Sequence, residues 1–211
     1  MKRNISRQAV PHATEKYLKI IEFIVYFDKN TYPMKPTILW MLVLFFIFSC
    51  YTSGQNQQTV QSVDLEKYLG LWYEIASFPA SFEKGCRCST AEYQQVPNRK
   101  YILVINKCLK IRRSGSKMSV AKGKAFAVKG SGNARLKVQF LWPFRGDYYI
   151  IELDRDYRYV VVGHPHRKYL WILSREPYMG ADTYSMLVDR IKEKGYDINR
   201  LQKTEQNCEG K

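Results

Sequence analysis

An all-β fold is the class this 211-residue sequence predicts: an eight-stranded antiparallel up-and-down barrel with one α-helix packed outside it. Three observations carry the expectation. From Val63 onward, short runs rich in Val, Ile, Tyr, Phe and Trp alternate with turn signals at regular spacing. The connections between runs are only a few residues long, which favours sequential antiparallel neighbours. After the last run the apolar period lengthens from two residues to 3.6 over a single segment.

The chain ahead of this pattern is organised differently. Residues 1–33, including the apolar but charged stretch 17–27, read as an N-terminal extension outside the fold. Residues 37–48 are uncharged and apolar, and Met34-Lys35 stands just before them. Spanning a bilayer takes roughly 20 apolar residues, so this run is too short and reads as the h-region of an export signal. It ends in Ile47-Phe48-Ser49-Cys50, which looks like a bacterial lipobox with Cys50 as the lipidated residue. The expected organisation is therefore 1–49 as extension and lipoprotein signal peptide, 50–62 as lipidated cysteine and polar tether, and 63–208 as the barrel domain.

Eight strands are expected, over 70–78, 87–96, 101–110, 120–129, 134–141, 147–153, 157–163 and 169–175. Pro97-Asn98, Ser114-Gly115-Ser116 and Gly130-Ser131-Gly132-Asn133 supply residues that preset a turn or tolerate positive φ. Gly146-Asp147 and Asp154-Arg155-Asp156 mark two more short connections. Alternation assigns faces: Tyr169, Trp171, Leu173 and Arg175 share one, and so do Leu136, Val138 and Phe140. Closing such a sheet abolishes its edges and leaves an interior wide enough for one small molecule. Tyr184, Leu187, Val188 and Ile191 then fall on one helical face, with Lys192 and Lys194 favouring the C-terminal dipole and Gly195 placed as the cap.

Charge and cysteines bound the function classes. The net charge is +15. Seven basic and three acidic residues precede Cys50, leaving 27 against 16 in the rest, or +11. The basic residues are scattered (Arg112-Arg113, Lys122, Lys124, Arg135, Lys137, Arg158, Arg167-Lys168), and an exported chain rarely meets nucleic acid, so nucleic acid is not an expected partner. The charge points instead to anionic head groups. Beyond Cys50, the cysteines are Cys86, Cys88, Cys108 and Cys208, an even number in an exported domain, which permits three disulfide connectivities. Cys86-x-Cys88 and His164-x-His166 match no common zinc spacing, and no metal or other cofactor is expected. There is no Gly-x-Ser-x-Gly elbow, glycine-rich phosphate loop or His-Glu-x-x-His helix. No enzyme is expected.

Three stretches resemble the lipocalin family in order. Residues 65–75, with Gly70-Leu71-Trp72, resemble its first signature; 153–157 resemble the second, at the turn between strands six and seven; and 170–177, with Arg175, resemble the third. The resemblance covers 63 to about 208 and extends to the bacterial outer-membrane (Blc) branch and to apolipoprotein D. It implies a barrel base built on Gly70, Trp72 and Arg175, with the guanidinium stacked on the indole. The long first loop, 79–85, would fold over the mouth, with Phe82 as a lid residue and Lys84 as a rim charge.

The expected ligand-binding walls are Trp171 and Leu173 by parity with Arg175, and Asn106 by resemblance, with Val104 and Ile102 on its side. Phe126 and Phe140 follow, then Tyr93, Tyr148 and Trp142. The resemblance also implies a Cys88–Cys208 disulfide, leaving Cys86–Cys108. A mostly apolar cavity with one or two polar groups suits an acyl chain with a polar head. The expected function is thus a membrane-anchored binding protein for fatty acids, lysophospholipids or similar amphiphiles, serving lipid storage or transport at the bacterial envelope. Its partners would be that ligand, the outer membrane through Cys50 on the periplasmic side, and at most a second copy in a homodimer. The alternatives are a carrier of a tetrapyrrole or siderophore-like compound, or an enzyme on the same fold.

Overall fold

The computed structural model describes residues 59–113 and 115–208. The stretch expected to direct export, Cys50 and most of the expected tether lie outside the described residues. Asp64 opens the domain: its carboxylate accepts hydrogen bonds from the N–H groups of Glu66 and Lys67. That N-cap starts α1 (Leu65–Tyr68), a single turn that the β-type periodicity did not foretell.

Eight antiparallel strands follow: β1 (Gly70–Ser77), β2 (Cys86–Gln95), β3 (Ile102–Arg112), β4 (Gly115–Ala127), β5 (Arg135–Leu141), β6 (Phe144–Leu153), β7 (Tyr159–Gly163) and β8 (Leu170–Ser174). Each pairs with the next, and β1 pairs with both β8 and β2, so the sheet closes into a barrel. The helix α2 (Ala181–Glu193) comes next, then a two-residue β9 (Gln202–Lys203), which was not expected. β9 pairs with the upper end of β1, beyond the point where β1 and β2 stop pairing at Tyr73 and Thr90.

Two strands begin earlier than the turn residues suggested. β4 starts at Gly115 rather than 120, because the β3–β4 turn is tight and Ser116 already faces Ile111. β6 starts at Phe144 rather than 147: Gly146 is not a turn but the register partner of Val138, and the chain reverses at the cis Trp142-Pro143 bond.

Alternation along the strands makes two cores. Inside the barrel, Trp72, Tyr93, Ile102, Val104, Ala125, Leu136, Ile150, Val160, Val162 and Leu173 pack together. On the outer face, Ile151, Val161, Leu170 and Ile172 of β6–β8 meet Leu187 and Ile191 of α2 and Tyr196 beyond it. The helix therefore covers one wall and leaves the interior untouched. Gly195, at φ +79°, ends it as the turn requires. Disulfides join Cys86 to Cys108 and Cys88 to Cys208, the pairing that the resemblance implied.

Candidate functional site

Strand direction puts two different ends on the barrel. The connections 96–101, 128–134 and 154–158 and the helix α1 gather at one end, and the hairpins 78–85, 113–114, 142–143 and 164–169 gather at the other.

The first end is closed by side chains. Trp72 is fully buried, and its indole Nε1 donates to the Tyr68 carbonyl at 2.9 Å. The Arg175 guanidinium lies 3.8 Å from the centre of the Trp72 ring. Its fork donates to the carbonyls of Leu71 (2.7 Å), Lys67 (2.7 Å), Leu69 (2.9 Å) and Tyr157 (3.3 Å). Five donors in a rigid plane suit this task, since the loop carbonyls around α1 lack strand partners. Gly70 sits at φ +92°, a backbone state that a side chain would strain, and brings the chain from α1 into β1 under the guanidinium. Gly70, Trp72 and Arg175 thus meet in one place.

Above this floor, three tyrosine hydroxyls share hydrogen bonds. Tyr148 Oη lies 2.7 Å from the hydroxyls of both Tyr68 and Tyr93. Burial pushes all three phenols up, Tyr93 to about 12, so the group stays neutral. Tyr93 and Tyr148 were minor wall candidates; Tyr68 was not seen, because α1 was not.

The walls follow from register. Trp171 faces Val162, and Leu173 faces Val160. Val104 pairs with Tyr93, and Asn106 with Ala91, all on the inner face. Ile102 pairs with Ala125. Asn106 Oδ1 is buried and is the only buried side-chain polar atom without a hydrogen-bond partner among the described residues. Phe140 lies at the mouth over Gly123, where a Cβ would come within 2.8 Å of its ring. Gly123 is therefore a space held open for an aromatic.

Phe126 requires a correction. Its register partner is Lys137, its ring packs 5.9 Å from Tyr101, and Arg145 stacks on it at 4.4 Å. It belongs to the outer face, and Ala125 takes the inner position. Trp142 is likewise no wall residue: it stands at the tip of the β5–β6 hairpin in solvent. Phe82 is exposed and rests against Tyr169, with ring centroids 5.8 Å apart, on the rim rather than across the opening.

The sequence reading missed two carboxylates at the open end. Glu83, on a 3-10 turn in the first loop, accepts from Trp171 Nε1 at 3.3 and 3.4 Å. Burial, then the neighbouring Glu74 charge, raises its carboxyl to about 7. Glu74 is itself buried in β1 and accepts from Thr204 Oγ1 (2.6 Å) and Ser77 Oγ (2.9 Å). Burial raises its pKa too, against the pull of those two bonds. Both line a cleft of about 570 Å³ between the first loop, the start of β2 and the C-terminal tail. Parity could have found Glu74, two residues from inward-facing Trp72.

The described interior offers apolar walls, one open amide oxygen, neutral hydroxyls and, toward the open end, the buried Glu74 carboxyl. Residues 63–206 match the family model for a lipocalin-like domain. The chain is 38% identical to temperature-induced lipocalin-1 of Arabidopsis thaliana over 74% of this chain and 86% of that one. It is 40% identical to the outer membrane lipoprotein Blc of Vibrio cholerae, over 72% and 88%. Mouse apolipoprotein D is 37% identical, over 70% and 80%. Among solved structures, insecticyanin of the tobacco hornworm shares the fold, with a TM-score of 0.57 at 18% identity, covering 70% of this chain and 83% of that one.

Proposed function

The chain belongs to the lipocalin family, and on that premise we propose that its barrel holds one small hydrophobic molecule of the fatty acid or lysophospholipid kind. The observation that carries the proposal is the inward face itself. It is built from Ile102, Val104, Ile150, Val160, Val162 and Leu173, and a single unpartnered polar atom, Asn106 Oδ1, stands among them. An acyl chain gains about 0.8 kcal/mol per buried methylene against such walls. The amide oxygen asks for one donor, which a hydroxyl or a protonated carboxyl supplies.

Binding, not turnover, is the activity proposed, with Trp171 and Leu173 as wall residues and Gly70, Trp72 and Arg175 as the base. The similarity to an outer membrane lipoprotein of Vibrio cholerae supports a lipid-anchored carrier at the bacterial envelope, held by Cys50 and serving lipid storage or transport. Protein purified from cells without detergent is expected to release acyl lipid on denaturation in native mass spectrometry. Titration with palmitate or lysophosphatidylcholine is expected to change Trp171 emission, and a flat response to both would sink the proposal. A visible absorption band in the purified protein would point to a tetrapyrrole or iron chelate instead.

A further inference from the structure

Among the described residues, ten large apolar side chains stand exposed, and eight of them lie at the open end of the barrel. The tip of the β5–β6 hairpin carries the most exposed of these eight: Trp142 at 82%, Phe144 at 71% and Leu141 at 69%. The β3–β4 hairpin adds Ile111, Met118 and Val120, which register places on its outer face. Because they face away from the interior, a molecule in the barrel does not account for them. A concentration of apolar surface at one end of a molecule marks a contact surface.

The charge around it selects the partner. Residues 107–124 hold seven Lys and Arg and no Asp or Glu, and in 139–146 the only charge is Arg145. Among the described residues, Lys107 alone of that hairpin's cations reaches a carboxylate, Glu92 at 3.5 Å. A second copy of this chain would set the same cations against one another. An anionic bilayer answers both features: the apolar tips enter the boundary between head groups and acyl chains, and the cations meet lipid phosphates. We infer that the open end of the barrel is a docking face for an anionic lipid bilayer, with the β5–β6 tip inserted and the β3–β4 hairpin lying on the head groups. An N-terminal anchor would keep the chain near a membrane; this face turns the mouth of the barrel toward it. A hydrophobic molecule then moves between lipid and barrel without crossing water.

The test uses the full oxidised chain with phosphatidylcholine vesicles, with and without phosphatidylglycerol, each carrying brominated acyl chains that quench indoles at contact. The signal is the difference in emission between the parent and Trp142→Phe, which isolates Trp142 from Trp40, Trp72 and Trp171. With phosphatidylglycerol present, that difference is expected to be blue-shifted and quenched. In pure phosphatidylcholine it is expected to be close to its value without lipid. Replacing Arg113 at the turn and Lys122, which shares the outer face with Met118 and Val120, by Gln should weaken the contact about fivefold per charge, while near-UV circular dichroism stays that of the parent. Trp142 emission that is unquenched with phosphatidylglycerol, or equally quenched without it, overturns the inference. So does a lipid-free dimer, seen by sedimentation, in which Trp142 is already shielded.

Discussion

Replacing Glu83 by Gln tests how the first loop is held. The amide keeps an oxygen to accept from Trp171 Nε1 and removes only the ability to ionise. In the folded chain, burial and the Glu74 charge raise this carboxyl from the ordinary 4.5 to about 7. The folded state therefore holds the proton more tightly than the unfolded state, so the parent is relatively most stable below pH 4.5 and loses stability as pH rises toward 7. A shift of that size corresponds to a ceiling of about 3 kcal/mol. Lys84 and Lys203 border the same cleft, and the side chain is not fully enclosed, so on the order of 1–3 kcal/mol is expected. The assay is urea unfolding of parent and variant at pH 5 and pH 8. The variant should match the parent at pH 5 and exceed it by that amount at pH 8. Equal stability at both values, or a variant weaker at pH 8, would show that Glu83 is ionised in the fold and that the loop is held some other way.

Three further predictions address the floor, a surface turn and the walls. Arg175→Ala removes four hydrogen bonds to carbonyls and the stack on Trp72, and should cost about 3 kcal/mol in thermal or urea unfolding; Arg175→Lys should recover little, because an ammonium cannot reproduce the fork. Asp154 is held below the ordinary carboxylate range by hydrogen bonds from the Arg158 side chain, with backbone N–H groups assisting. Its contribution is present above the unfolded Asp pKa and lost as pH falls, so Asp154→Asn should destabilise at pH 7 and converge on the parent near pH 2 in a melting series. Leu173→Gln should weaken acyl-ligand titration at least tenfold by placing an unpaired amide in the wall, whereas Phe126→Ala, on the outer face, should leave the titration unchanged.

Faces within one strand were legible from alternation alone. Trp171 and Leu173 lie two residues apart in unbulged β8, and Arg175 follows its last residue at the same spacing, so assigning one assigns the others. Phe126 failed because its face depends on register across the β3–β4 hairpin, and a one-residue change in the turn exchanges inside for outside. The Ser114-Gly115-Ser116 run signals a turn without stating its length. The floor was readable as a motif, Gly70-Leu71-Trp72 with a distant arginine, yet Tyr68 was lost because a single helical turn has no period to detect. Glu83 and Glu74 were lost for another reason. A glutamate in sequence reads as solvent-facing, and only the fold shows Thr204 and Ser77 arriving to bond one and Trp171 the other.

The C-terminal tail also fixes when the barrel can close. Where β1 and β2 part company, the gap is bridged by residues from the end of the chain. Gln206 Nε2 donates to both the Glu74 and Ser89 carbonyls, Thr204 N–H donates to the Ile75 carbonyl, and Cys88 N–H donates to the Glu205 carbonyl. These contacts join residues up to 132 positions apart. Entropy is spent on such long loops before the contact returns anything, which makes them slow to form. A chain made from its N-terminus therefore carries the upper ends of β1 and β2 unbridged until residues 204–206 have been made and released. Completion of the barrel waits on residues 204–206, and a chain stopped short of Thr204 lacks the clasp however well its eight strands pair.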